Sequence, residues 1–235
     1  MHDLHTFVDY VLYTKYWEYA LAFAFMALFL VFYIMLKAPE RTTQSAAARE
    51  AMPASGRVQG FLVPDDLLYH QGHTWARKDA EGNVLIGVDD FAQRLVGKPS
   101  GLKLPAVGAQ LRQGAGAWSL DVGPSSFEMV SPVDGEVLAV NPKLAGSTDA
   151  LKSDPYGDGW LLKVKLPKSS VSLKNLLGGE LVKKWTEAAA QRLYGFADLE
   201  LGAVLSDGGD PVDGMARNLD PQNWEQIVRE FFLTD

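Results

Sequence analysis

Few side chains in this sequence could do chemistry, and their spacing argues against most of it. His70 and His73 lie close to Asp65 and Asp66, a set that could be pictured around a metal ion. A structural zinc site needs four well-placed ligands, usually including cysteine, and no others assemble here. His2 and His5 precede the first apolar run, which contains no histidine, so axial ligation of a b-type haem within a bilayer by this chain alone is not expected. Asp207, Asp210 and Asp213 fall in SDGGDPVDG. That segment lacks the D-x-D-x-D-G spacing and closing glutamate of a calcium loop and reads as a turn-rich connector. There is no cysteine, which excludes disulfides, c-type haem attachment, cysteine-ligated clusters and thiol catalysis. Ser125 and Ser126 follow a Gly-Pro turn without any sequence sign of a general base, and no G-x-S-x-G, Walker or dinucleotide fingerprint occurs. The expectation is a protein that is not an enzyme and holds no metal and no cofactor.

The elements that would position these residues divide unevenly. Of 235 residues 47% are apolar, and the first 36 are far more apolar than the rest. Net charge is −7, with no Lys/Arg cluster beyond the N-terminal region, which argues against nucleic acid as a partner. Tyr19–Leu36 is an uncharged run of 18 residues between Glu18 and Lys37. As a helix it is about 27 Å long, and with Tyr16 and Trp17 it reaches the hydrocarbon thickness of a bilayer. Tyr13, Tyr16, Trp17 and Tyr19 cluster at its N-terminal edge, where amphipathic rings prefer to sit. The run is too long for a signal-peptide core and is preceded by Asp3 and Asp9 rather than a basic stretch. Residues 1–16 therefore read as an interfacial segment and 17–36 as a transmembrane helix. Lys37, Arg41 and Arg49 follow the helix and only Lys15 precedes it. The positive-inside rule then places the N-terminus outside and the C-terminal domain in the cytoplasm, on a bacterial inner membrane. Ala20, Ala24 and Ala27 recur at i, i+4 and i+7, a small-residue strip that would let a partner helix approach closely.

Residues 37–59 are small and polar with two prolines and read as a tether, helical at most through SAAAREAM. From Gly60 onward short apolar runs are split by Gly, Pro and Asp. Asn83–Val88, Glu136–Val140 and Gly159–Leu166 read as strands, the last alternating Leu162, Val164 and Leu166 with Lys163 and Lys165. Asp134-Gly135 suggests a hairpin-type turn. Asp89 or Asp90 can cap a short helix that stops at Gly97, and Leu173–Leu193 is helical with an interruption at Gly178-Gly179. In the tail, Asp220 as N-cap and Pro221 at the first helical position open a helix whose Trp224, Ile227 and Phe231 form one apolar face.

The order of motifs resembles the glycine-cleavage H-protein family. His73-Thr74-Trp75 is similar to the family's H-E-W start, and GVDDFAQRLVG (87–97) to its G-I-T-x-x-A-Q-x-x-L-G segment. LPAVGAQLRQG (104–114), SPVDGEVLAVN (131–141), SDPYGDGWLLKVKL (153–166) and LKNLLGGELVKKW (173–185) resemble later family motifs in the same order. The resemblance implies a mainly β fold over residues 60–186, an H-protein-like barrel-sandwich hybrid with flanking helices. It leaves out the transmembrane helix, the tether and a C-terminal extension, 187–235. In the family a lysine at a tight hairpin turn carries lipoate, since an exposed primary amine is needed to form the amide. Counting back from Ser131-Pro132-Val133 places Pro124 at that lysine's position, and no lysine occurs from 104 to 142.

The resemblance and the missing lysine together imply a non-catalytic, membrane-anchored accessory or assembly subunit. By analogy with membrane-attached H-like proteins it would serve a bacterial respiratory or electron-transfer complex, with the degenerate domain as docking module. The lipid bilayer and other membrane-protein subunits are the expected partners, met through Ala20, Ala24 and Ala27 in the membrane and Trp224, Ile227 and Phe231 on the tail. Two alternatives stand beside it. One is a binding module that mimics the H-protein surface for enzymes of lipoate or glycine metabolism, and the other is a lipoyl carrier with an unexpected attachment site.

Overall fold

The computed structural model describes residues 2–37, 56–196 and 211–234, within two compact units, Met1–Met52 and Pro53–Asp235. The first unit contains one long helix, α1 (His2–Lys37). Neither glycine nor proline interrupts it. No break marks the predicted boundary at 16/17, so the interfacial segment and the apolar run share one helix. Its described large apolar side chains, among them Trp17, Leu21, Phe25 and Leu28, are exposed. Ala20 is half-buried, and Ala24 and Ala27 are exposed. Among the described residues no helix is long and apolar enough to cross a membrane. The side chains of Val31, Phe32, Ile34, Met35 and Leu36, within the predicted run, lie outside the described residues, as does most of the tether, including SAAAREAM.

The second unit begins with a hairpin, β1 (Arg57–Val58) and β2 (Phe61–Leu62). Gln59 and Gly60 both have positive φ, the requirement of a type I′ turn. The predicted tether boundary at 59 thus falls inside an ordered turn. Two antiparallel sheets follow. One takes the order β3 (Leu68–His70), β4 (Thr74–Lys78), β5 (Val84–Val88), β11 (Leu162–Lys165), β10 (Gly135–Val140), β7 (Gln110–Leu111). The other takes the order β6 (Gly101–Lys103), β8 (Gly116–Val122), β9 (Ser125–Val130). Period-2 patterning decides which faces meet. Leu162 and Val164 are buried and Lys165 is exposed; on β8, Trp118, Leu120 and Val122 point into the core. Ile86, Val137 and Val164 from one sheet join Leu120, Phe127 and Met129 from the other in one apolar core. The fold is a mainly β half-barrel sandwich with flanking helices.

Asp134-Gly135 does not turn a hairpin. β9 and β10 lie in different sheets, and the Asp134 carboxylate accepts from the Gln113 amide (2.9 Å) and the Ser172 hydroxyl (2.6 Å). Tertiary hydrogen bonds have claimed a dipeptide that locally favours a turn. Helix α2 (Asp90–Val96) follows expectation: Asp89 accepts from the Ala92 N–H at 2.8 Å, and Gly97 ends it with φ +78°. Asp89 also accepts from Nδ1 of the buried His73 at 2.9 Å. Asp89→Ala is therefore expected to remove a cap and leave a buried N–H without an acceptor, costing about 2–4 kcal/mol in denaturant unfolding. A loss equal to that of an exposed cap alone would show that His73 finds another partner.

Helix α3 (Asp149–Ser153) precedes β11, and a 3-10 turn, Ser172–Asn175, precedes α4 (Glu180–Tyr194). The break expected at Gly178-Gly179 separates those last two elements. α4 runs across the predicted boundary at 186/187 and buries Val182, Thr186, Ala189, Ala190 and Leu193 along one face. Two tail helices, α5 (Met215–Leu219) and α6 (Trp224–Phe232), belong to the same compact unit. α6 starts three residues later than expected. Asp220 accepts from the Gln222 and Asn223 N–H groups at 3.0 Å, capping a turn ahead of the helix.

The tail's apolar face is closed within the chain. Trp224, Ile227 and Phe231, predicted as contacts for another subunit, are 8%, 3% and 3% exposed. Trp224 meets Phe127 of β9 edge-on at 5.2 Å between ring centres, and Phe231 lies 5.2 Å from Phe91 of α2. The correction has a simple cause: α2 and β9 leave aromatic side chains uncovered by either sheet, and the tail covers them.

Candidate functional site

β8 and β9 form a hairpin whose last pair is Val122 and Ser125, leaving a two-residue turn, Gly123-Pro124. Gly123 has φ +61°, the sign required at the first central position of types I′ and II′. Proline cannot take positive φ at the second position, which excludes I′ and leaves II′, a turn matched to strand twist. The residue at the tip presents a pyrrolidine ring and no nucleophile. Lys103 stands on the neighbouring strand opposite Ser119, its ammonium 2.9 Å from the Asp121 carboxylate. Asp121 also accepts from the Ser126 hydroxyl at 2.6 Å. The Ser126 hydroxyl and then Lys103 hold its pKa below the ordinary carboxylate value.

The hairpin is tied to the tail. The Ser125 hydroxyl donates to the Glu225 carboxylate on α6. Beneath that bond Phe127 is covered by Trp224 and by Phe232, whose ring centre lies 6.4 Å away. The guanidinium of Arg217 stacks on the outer side of Trp224 at 4.2 Å. One flank of the hairpin is therefore sealed, while Ser126 and Glu128 remain exposed on the other.

The other recognised motifs build scaffold. His73 stacks on Phe91 with 4.1 Å between centres and touches Trp185. The Trp75 indole N–H is shared between the carbonyls of Val88 and Pro155, 3.2 Å from each. The Tyr156 hydroxyl donates to the Leu62 carbonyl at 2.6 Å and accepts from the Asp90 N–H at 3.0 Å. The Asn141 side-chain amide donates to the carbonyls of Asp158 and Trp160 at 2.7 and 2.6 Å, and the Ser131 hydroxyl donates to Val133. Burial raises the pKa of the Tyr69 and Tyr156 hydroxyls, keeping both neutral as hydrogen-bonding groups.

The imagined metal set does not converge. His73 Nδ1 is committed to Asp89, and His70 Nδ1 accepts from the Gly72 N–H at 3.1 Å. Asp65 faces Lys183. Among the described residues no group of three or more His, Asp or Glu side chains could hold a metal ion. Asp213 pairs with Lys152, whereas Asp207, Asp210 and the side chains of His2 and His5 lie outside the described residues. Sequence reasoning missed Glu225 as the tail's anchor on the hairpin. Its only signal was position, on the polar side of an amphipathic helix.

Residues 67–189 match the family model of the glycine cleavage H-protein. The chain is 39% identical over 118 residues to the glycine cleavage system H protein of Aeromonas hydrophila, covering 50% of this chain and 91% of that relative. It is 40% identical over 104 residues to that of Marinobacter nauticus, covering 44% and 80%. A crystal structure of the H protein from Mycobacterium marinum aligns with 24% identity and a TM-score of 0.45, over 55% of this chain and 98% of that one.

Proposed function

This chain belongs to the glycine cleavage H-protein family, and from that premise we propose that it is a membrane-anchored accessory subunit that uses a lipoyl-carrier fold as a docking module without carrying lipoate. One observation carries the reading: the hairpin that bears cargo in the family is intact here, but Pro124 closes its turn and no lysine lies between 104 and 142. The motifs retained elsewhere make core contacts, so they maintain a shape. Without cargo there is no chemistry for the domain to deliver, and its action is non-catalytic. The anchor rests on the uncharged run Tyr19–Leu36 and on the exposure of apolar side chains around α1. A helix apolar on all sides needs an apolar surrounding. Basic residues after the run favour a cytoplasmic domain on the bacterial inner membrane, and other membrane subunits of a respiratory or electron-transfer complex are its partners.

Purification from native membranes in mild detergent tests this. The chain is expected to resist alkaline extraction, to co-elute with other membrane subunits, and, as Ser169→Cys, to react with an impermeant maleimide only from the cytoplasmic side. A lone monomer, or release by alkali, would sink the proposal. A second reading is favoured by the open flank at Ser126 and Glu128: binding to enzymes of lipoate or glycine metabolism through a mimicked surface. In that case such an enzyme, and no membrane subunit, is retained by the immobilised domain.

A further inference from the structure

A pocket of about 140 Å³ opens between α4 and α6, with Trp185, Ala188 and Ala189 on one wall and Phe231 and Leu233 on the other. Arg192 and Glu230 also line it, but they satisfy each other at 2.7 Å, with the guanidinium 4.9 Å above the Phe231 ring. The pocket therefore offers apolar walls and no spare charge. Two uncharged polar residues complete the lining: Gln71, which is exposed, and His73, which is 1% exposed.

The His73 ring is fixed on three sides. Phe91 stacks on it with 4.1 Å between centres, and Trp185 lies 4.6 Å away. Two rings that close cannot share one face, so they cover both. Nδ1 is 2.9 Å from one oxygen of Asp89, whose other oxygen caps α2. A carboxylate only accepts, so Nδ1 carries the proton and, in the neutral ring, Nε2 is left as a lone-pair acceptor. With both faces and the Nδ1 edge taken, the ring meets the pocket at the edge that bears Nε2. That nitrogen has no hydrogen-bond partner among the described residues, and it is not closed off from the space beside it.

Buried acceptors are almost always satisfied, so Nε2 calls for a donor that enters through the pocket. The paired charges favour an uncharged occupant, and the aromatic and methyl walls favour an apolar body. A cavity of roughly 150 Å³ holds benzene, so a single six-membered ring fits here. Among uncharged ring molecules with one donor, a phenol suits an imidazole nitrogen well, because its O–H is more acidic than that of an alcohol. We propose that this pocket binds a small phenol, its hydroxyl donating to His73 Nε2 and its ring packing on Trp185 and Phe231. Such a ligand ties α4 to α6. Its binding requires neither the membrane anchor nor the loss of the lysine.

Nitrogen NMR of the histidine rings, with the full chain in detergent and p-cresol titrated against toluene, tests it. p-Cresol is expected to move the His73 Nε2 resonance upfield and saturably, with the other histidines unmoved. A readout at one atom is not imitated by partition of the phenol into detergent. Toluene, the same ring without the hydroxyl, should bind about tenfold or more weakly, a difference of at least about 1.4 kcal/mol. Ala188→Leu, at an exposed position on α4, should fill the pocket and weaken p-cresol by about tenfold or more without touching the His73–Asp89 pair. Leu233→Ala removes part of the opposite wall, should weaken p-cresol about threefold, and carries the test if Ala188→Leu fails to fold. N-Acetyltyrosinamide binding as tightly as p-cresol would assign the phenol to a tyrosine side chain, and p-cresol alone would assign it to a free molecule; both support the site. No saturable shift at Nε2, toluene binding as tightly as p-cresol, or a p-cresol shift unaltered by Ala188→Leu would overturn the proposal.

Discussion

Phe232→Ala is expected to destabilise the second unit by about 3–5 kcal/mol, among the largest losses a single substitution can cause here. Phe232 is fully buried, with its ring against Phe127 of β9. Truncation leaves a cavity where α6, α2 and the hairpin sheet converge, and those backbones have little freedom to close it. Denaturant unfolding reads the loss directly, and hydrogen exchange locates it. Amides of β9 should lose protection together with those of α6, because the two share Phe127 and the Ser125–Glu225 bond. Leu233→Ala, one residue away but 54% exposed, should change stability by less than about 1 kcal/mol. Faster exchange in α6 with β9 unchanged would show that the tail rests on the hairpin without supporting it.

The second large effect concerns cargo. Incubated with a lipoyl ligase, the natural chain is expected to show no lipoyl adduct by intact mass, whereas Pro124→Lys should acquire one. The turn favours this outcome, since Gly123 supplies the positive φ and the second central position accepts lysine. Replacing proline removes some restriction of the unfolded chain and should cost only about 0.4–1 kcal/mol, so the variant should still fold. Glu225→Ala, added to Pro124→Lys, should speed modification by freeing Ser125 and removing a carboxylate near the new ammonium. An adduct on the natural chain would revive the reading of a carrier with another attachment site. Failure of a folded Pro124→Lys to react would show that the tail, and not the missing amine alone, blocks the ligase.

Local rules accounted well for local structure. The alternation of Leu162, Lys163, Val164 and Lys165 encodes the strand and its buried face, and Gly97 and the pair Asp89-Asp90 mark the ends of α2, with the structure choosing Asp89 as the cap. The lysine-free hairpin was legible because it lies within a short stretch of fixed spacing. Failures arose where a distant residue made the decision. Asp134-Gly135 has turn chemistry, yet Ser172 and Gln113, remote in sequence, claim its carboxylate. The periodicity of Trp224, Ile227 and Phe231 says that one face must be covered but not by what. The cover is Phe91 and Phe127, which come roughly 140 and 100 residues before their partners Phe231 and Trp224.

The docking of α6 also sets a timetable for synthesis. Phe91 and Phe127 emerge first, and Trp224, Phe231 and Phe232, which cover them, follow about a hundred or more residues later. Contacts spanning a hundred residues close slowly, and exposed aromatic surface during the delay invites association with other chains. Until α6 has emerged, the nascent domain displays a sticky aromatic seam, and a chain cut short before α6 displays it permanently. α6 therefore acts as a late-arriving seal, since chains lacking it carry the exposed apolar surface by which unfinished proteins are recognised.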